Sequence, residues 1–293
     1  MFGLPHVKAK ELVRRVYDKL TETDVPNRAA QVAFYFSFAF FPLLLFLISL
    51  FGLILESTDT LKIQLYQYLS EIMPASAFDL VQKTMTEVIE NSSGGKLTLG
   101  LFVTLWSASV GVDTVRSALN AVYELEETRA WWHTKLQSLI LTLMFILLLG
   151  SALGIVAAGS RLLEVATQHL NLPTDSPWLL YPIQIASFLL VMIFATAVIY
   201  NWLPCFRNAK WVWISPGAVV AIILWALLTS GFRLYLHFFN SYNKAYGSLG
   251  AVIILMLWMY LTGMAILVGG ALNSVLSEIS EEDSKAQKDG SSP

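Results

Sequence analysis

Long apolar runs separated by short polar stretches set the pattern of this chain. Stretches 29–55, 136–158, 179–203 and 249–276 contain no Asp, Glu, Lys or Arg, and 212–236 is broken only by Arg233. A run of about 20 apolar residues, read as helix, crosses a hydrocarbon layer of about 30 Å. A sixth run, 97–121, meets Asp113, which lies about 26 Å from Lys96 at about 1.5 Å per residue and so near the far edge of the layer. Strict apolar-polar alternation of the barrel type is missing from all six runs. A helix satisfies its backbone polar groups internally, as a lipid environment demands. The first run is longer than a secretory signal core and follows a charged lead. The pattern therefore predicts an all-α polytopic membrane protein with six transmembrane helices.

The flanking segments add three expectations. Residues 1–28 are expected to hold an amphipathic helix, with Val13, Val16, Tyr17 and Leu20 on one face and five basic residues between 8 and 19. It is expected to lie in the cytoplasmic interface with its cations towards anionic lipid. Pro26 marks the break before the first span, with Asp24 or Asn27 as cap. Residues 56–96 are too many for a structureless loop. Helical spacing of Leu61, Leu65, Tyr68 and Ile72, then of Phe78, Val81, Met85 and Val88, predicts an external helical hairpin ending at Ser92-Ser93-Gly94-Gly95. The tail 277–293 is polar and acidic and is expected to be disordered.

Composition agrees with the pattern. Of the 293 residues 56% are hydrophobic and 14% charged, against about 25% charged in soluble domains. A net charge of −2 supplies no basic field for nucleic acid. Thirteen of the nineteen Lys and Arg fall on the side of the two termini, which predicts both termini in the cytoplasm. The lone Cys205 excludes an internal disulfide. His6, His133, His169 and His237 share no metal-ligand spacing, and no phosphate loop or nucleophile elbow occurs. The expectation is therefore no catalytic residue, no metal and no cofactor.

Two polar constellations remain as candidate sites. Asp113 and Arg116 stand at i and i+3 and can pair on one helix face, with Asn120 and Tyr123 following at the same end. They form a candidate cytoplasmic gate, or else an interfacial surface pair. Arg233, Asn240, Tyr242, Asn243, Lys244, Tyr246 and Ser248 gather hydroxyl, amide and cationic groups at the mouth of the sixth span. They form a candidate rim for an anionic headgroup, while the plainer reading of the asparagines, with Asn201 and Asn273, is bonding between helices. A stripe of Gly150, Gly154 and Ala158 allows close helix contact, and Pro42 is expected to kink the first span.

Several stretches carry a resemblance. They are Ala33-Phe34-Tyr35 with Phe41-Pro42-Leu43-Leu44, Ala118-Leu119-Asn120-Ala121-Val122-Tyr123, Glu126-Glu127-Thr128-Arg129 with Trp131-Trp132, and Tyr200-Asn201-Trp202-Leu203-Pro204. Ser215-Pro216-Gly217-Ala218, Asn240-Ser241-Tyr242-Asn243 and Tyr246-Gly247-Ser248-Leu249-Gly250-Ala251 follow in order. The chain resembles the YihY/BrkB family of bacterial inner-membrane proteins, once labelled ribonuclease BN. The resemblance implies a six-helix bundle in the inner membrane, linked to envelope integrity and lipid traffic. It implies membrane lipids as partners, with a lipid-bridging or envelope protein and a second copy of the chain as further ones. A structural scaffold, or an ion or small-solute channel, are the alternatives. Family members usually read Gly-Ala-Glu-Leu-Asn near the end of the last span. Here the stretch is Gly269-Gly270-Ala271-Leu272-Asn273, so a mechanism requiring that carboxylate has no residue to use.

Overall fold

Seven helices and no strand make up the described residues, which are 8–39, 94–148, 151, 177–206, 211–238 and 248–289 of a computed structural model. In chain order they are α1 (Ala9–Glu22), α2 (25–39), α3 (Gly94–Val122), α4 (Trp131–Leu148), α5 (Pro177–Trp202), α6 (Pro216–Phe238) and α7 (Ser248–Asp289). Among the described residues three helical stretches are long and apolar enough to cross a membrane: Trp131–Leu148, Pro216–Tyr235 and Val252–Lys285. Phe188–Trp202 is a shorter apolar stretch. The expected hairpin lies outside the described residues except at its end, where Gly94 and Gly95 already belong to α3. Pro42, Gly150, Gly154 and Ala158 also lie outside them.

Helices α5 and α6 turn smaller residues inward and expose large apolar ones. On α6, Ala218 and Ala221 face inward while Val219, Val220, Ile223 and Leu227 face outward. On α5, Ala197 and Val198 are buried while Ile185, Phe188 and Leu190 are exposed. Water would penalise such a surface, whereas lipid accepts it and small inward residues let helix backbones approach. The closest approach joins α6 and α7. A Cβ on Gly217 would collide with the Gly269 carbonyl, and one on Gly269 with the Gly217 carbonyl and the Tyr200 hydroxyl. Around this contact Val112, Leu119, Val122, Leu141, Val198, Leu203 and Leu267 form an apolar core.

Local chemistry sets the helix ends. Pro216 opens α6, where a missing N–H costs nothing, and Ser215 Oγ accepts the Ala218 N–H at 3.1 Å as its cap. At the end of α3, Leu125 N–H donates to the Asn120 carbonyl at 2.7 Å and Glu124 N–H to that of Ala121 at 3.1 Å. This is a Schellman turn, and Glu124 takes the left-handed position usually given to glycine, with φ 54°. Asp24 does the same between α1 and α2, with φ 52°, and its carbonyl accepts the Arg28 N–H at 3.1 Å.

Two expectations about the soluble segments change. The acidic stretch from Ser277 is not a disordered tail: α7 continues to Asp289, so its 42 residues extend about 63 Å at about 1.5 Å per residue. Its extension is held by α1. Lys19, only 6% exposed, donates to Glu124 at 2.6 Å and to Glu278 at 2.8 Å, and Arg15 donates to Glu282 at 3.0 Å. Burial disfavours the Lys19 charge, but the bonds from Glu124 and Glu278 outweigh it and raise its pKa. The cations of α1 are therefore not all directed at lipid, since two of them strap the helix to its own protein.

Candidate functional site

Ser109, Asp113, Arg116 and Asn120 recur on one face of α3 at spacings of three and four, and that face carries the candidate gate. The Schellman turn sends the chain back across the helix end, bringing Glu127 and Arg129 over Arg116 and Asn120. Helix α4 then presents Lys135, Gln137 and Ser138 to the same place. The Asp113 carboxylate accepts from Ser138 at 2.5 Å and from Lys135 at 3.0 Å, and it lies 3.3 Å from Arg116. Arg116 reaches Glu127 at 3.3 Å and Asn120 donates to Glu127 at 3.0 Å. Arg129 grips Glu127 with Nε and Nη2, each at 2.8 Å, a two-pronged geometry that suits guanidinium and carboxylate.

The network also ties down the chain that leaves α5. Arg129 donates to Gln137 at 2.8 Å and to the Leu203 carbonyl at 3.0 Å. Gln137 donates to the Trp202 carbonyl, and the Cys205 N–H donates to Asn120 Oδ1 at 2.8 Å. Lys135 bonds Ser109 at 2.6 Å and sits 4.6 Å from the centre of the Trp106 ring. Among the described residues Arg116 Nε is the buried side-chain nitrogen or oxygen that finds no partner.

Hydrogen bonds from Arg129 hold the Glu127 carboxyl at about 2, against the ordinary 4.5, with partial burial opposing them. A carboxylate held this low stabilises the fold fully above its ordinary range and loses that contribution as the pH falls towards 2. Acid titration of the melting temperature in detergent is expected to show a decline beginning near pH 4.5. Glu127→Gln is expected to flatten that decline and to start from a lower plateau. An unchanged acid limb would show that the pair does not contribute.

A second polar centre joins α6 to α7. Asn273 Oδ1 accepts the Gly217 N–H at 2.8 Å and its Nδ2 donates to Ser215 Oγ at 2.9 Å. Tyr200 donates to the Ile266 carbonyl at 2.7 Å. Burial pushes the Tyr123 hydroxyl up to about 12, against a hydrogen bond with Asn273, so Tyr123 stays neutral. Asn201 donates to the Val212 carbonyl at 2.8 Å and accepts its N–H at 2.9 Å, closing the loop between α5 and α6. Of the three asparagines, Asn273 joins two helices as the plainer reading expected, whereas Asn120 and Asn201 hold connecting segments through Glu127, Cys205 and Val212. Ala271 is fully buried on α7 within the apolar core.

The profile of the virulence factor BrkB family matches residues 16–292. The chain belongs to this family. It is 29% identical to the ribonuclease-like protein YfkH of Bacillus subtilis over 267 residues, covering 90% of this chain and 94% of that one. It is 26% identical over 233 residues to a UPF0761 membrane protein of Idiomarina loihiensis, covering 79% and 78%. With the UPF0761 membrane protein YihY of Salmonella newport it shares 28% over 226 residues, covering 74% and 71%. No solved structure matches the chain. Membership agrees with the apolar exterior: the chain is a membrane protein, with several candidate spans.

In this BrkB-family chain three of the four candidate gate residues come together, Asp113, Arg116 and Asn120. Asp113 and Arg116 pair as their spacing predicts, but at 23% and 14% side-chain exposure they are not a surface pair. Asn120 joins them through Glu127, whereas Tyr123 turns towards Asn273 and packs edge-on against Phe206, 5.0 Å between ring centres. Sequence reasoning gave no site role to Glu127, Arg129, Lys135, Gln137 or Ser138. The usable signal was the Glu127-Thr128-Arg129 stretch, where opposite charges follow a helix end. Of the candidate rim, Arg233 is exposed near the end of α6 and Ser248 opens α7. Asn240, Tyr242, Asn243, Lys244 and Tyr246 lie outside the described residues. Among the described residues no group of three or more His, Cys, Asp or Glu side chains is arranged to hold a metal.

Proposed function

We propose that this BrkB-family chain is a six-span protein of the bacterial inner membrane, with both termini in the cytoplasm, that handles envelope lipid. It does so by moving lipid or by passing it to a lipid-bridging or envelope partner. The observation that carries the reading is the charge of the α3–α4 network. Three cations, Arg116, Arg129 and Lys135, stand against two carboxylates, Asp113 and Glu127, and the Arg116 Nε–H is unspent. A surplus positive charge at the end of an apolar bundle matches a lipid phosphate at headgroup depth. In this reading the network is the closed cytoplasmic gate, and Arg233 with the Tyr242 and Asn243 segment forms the headgroup rim at the opposite end. No enzymatic reaction, nucleic acid, metal or cofactor enters it.

Purified protein in vesicles containing fluorescent phosphatidylglycerol provides the test. Lipid exchange between leaflets, or between vesicles when a bridging partner is added, is expected to exceed that of empty vesicles. Alanine at Arg233, Tyr242 and Asn243 is expected to reduce it without loss of expression. Exchange equal to empty vesicles in both formats would overturn the function, and three variants matching the parent would overturn the rim alone. A second reading, a scaffold for envelope assembly, draws on the apolar core that α2, α3, α4, α5, α6 and α7 share. It predicts a stable partner on purification and no lipid exchange.

A further inference from the structure

The structure divides α1 into a covered and an uncovered face. Leu12, Arg15, Val16, Lys19 and Leu20 are partly or fully buried against the protein, and Lys19 and Arg15 are bonded to Glu124, Glu278 and Glu282. The apolar arc of the helix is wider than the protein covers. Val13 and Tyr17, one turn apart, remain 69% and 67% exposed.

Around the uncovered side, the residue types follow an order. At about 100° per residue, Val13 and Tyr17 come first, Lys10 and Arg14 lie about 60° and 100° beyond Val13, and Asp18, Glu11 and Glu22 occupy about 140° to 180°. The sequence round the helix is thus apolar, then basic, then acidic. This is the order met on leaving a bilayer with anionic headgroups: acyl chains, phosphates, water. Arg14 is free to serve, with its side chain 82% exposed and its approach to Asp18 a loose 3.8 Å. Depth fits as well. The α7 residues that hold α1, Glu278 and Glu282, follow within two turns of the buried Leu276 at the end of the apolar stretch, and only two residues separate α1 from α2.

We propose that the Lys10, Val13, Arg14 and Tyr17 face of α1 is a docking surface for anionic lipid, held at a fixed tilt by the Lys19 and Arg15 straps on its other face. The partner is the bilayer that holds the protein, and the phosphate of an anionic lipid is the group that Lys10 and Arg14 meet. The proposal is independent of whether the chain moves lipid.

Spin labels test it in the full chain, placed one at a time at Val13→Cys, Tyr17→Cys and Glu22→Cys in a Cys205→Ser background. The protein is reconstituted in phosphatidylcholine containing about a quarter phosphatidylglycerol, enough to give the surface a negative potential. Labels at positions 13 and 17 are expected to collide more with oxygen than with a water-soluble nickel chelate, and the label at 22 to show the reverse. Adding Lys10→Gln with Arg14→Gln, or omitting phosphatidylglycerol, is expected to reduce the oxygen excess at 13 and 17 while the straps keep the helix in place. Equal nickel access at all three positions would overturn the proposal and leave this face to a soluble protein. An oxygen excess indifferent to phosphatidylglycerol would overturn the anionic preference. Photoreactive phosphatidylglycerol supplies a readout on the unsubstituted chain, where adducts are expected at Val13 and Tyr17, and their absence counts against the surface.

Discussion

Replacing Asp113 by alanine is expected to lower the stability of the folded protein by about 3–5 kcal/mol, the cost of stranding buried charge. Asp113 accepts from Ser138 and Lys135 and faces Arg116. Lys135 retains only 8% side-chain exposure and cannot turn to water when this carboxylate is removed, whereas Arg116, 14% exposed, keeps Glu127 at 3.3 Å. Melting in detergent measures the loss. Asp113→Asn keeps an acceptor for Ser138 and is expected to lose less. Pairing Asp113→Ala with Lys135→Met removes the stranded ammonium and is expected to recover part of the loss. A single variant that melts with the parent would show that the network contributes nothing to the fold.

The second large effect is expected at the crossing of α6 and α7. Gly217→Ala places a methyl on the Gly269 carbonyl and within 2.5 Å of the Asn273 side chain, and both contacts lie below any real Cβ separation. Neither neighbour can yield cheaply, since one is backbone and the other holds the start of α6 through the Gly217 N–H. Overpacking of this kind costs about 1–3 kcal/mol, and loss of the Asn273 bond leaves a buried amide unpaired for about 1–3 kcal/mol more. Gly269→Ala is expected to behave alike. Gly231→Ala is the control, because a Cβ there meets nothing within 4 Å, and its melting temperature is expected to match or exceed that of the parent. Equal melting of Gly217→Ala and Gly231→Ala would contradict the close crossing.

How much of this could be read from the chain follows from what local pattern can encode. Apolar run length located α3, α5 and α6 to within a few residues, and the start of α7 but not its end. The spacing of Asp113 and Arg116 announced their pair, because both lie on one helix. Glu127 and Arg129 escaped because the turn that returns them rests on Glu124 in a left-handed conformation, which hydropathy does not register. Lys135 was legible only as a topogenic charge, since its partner lies 22 residues earlier on another helix. The acidic residues after Ser277 read as solvated tail because the cations that order them, Arg15 and Lys19, come from the other end of the chain. The apolar stripe of α1 was visible, but its division between protein and surroundings depends on how far α7 reaches.

That reach has a mechanical consequence. From Ser248 to Asp289 the last helix is one uninterrupted rod without proline, and such a rod transmits angle as displacement. A tilt of about 5° across its length of about 63 Å shifts one end by about 5 Å relative to the other. Because Glu278 and Glu282 ride on the arm of this lever that meets α1, a small reorientation at its far end is delivered to α1 as a sideways stroke of about 4 Å.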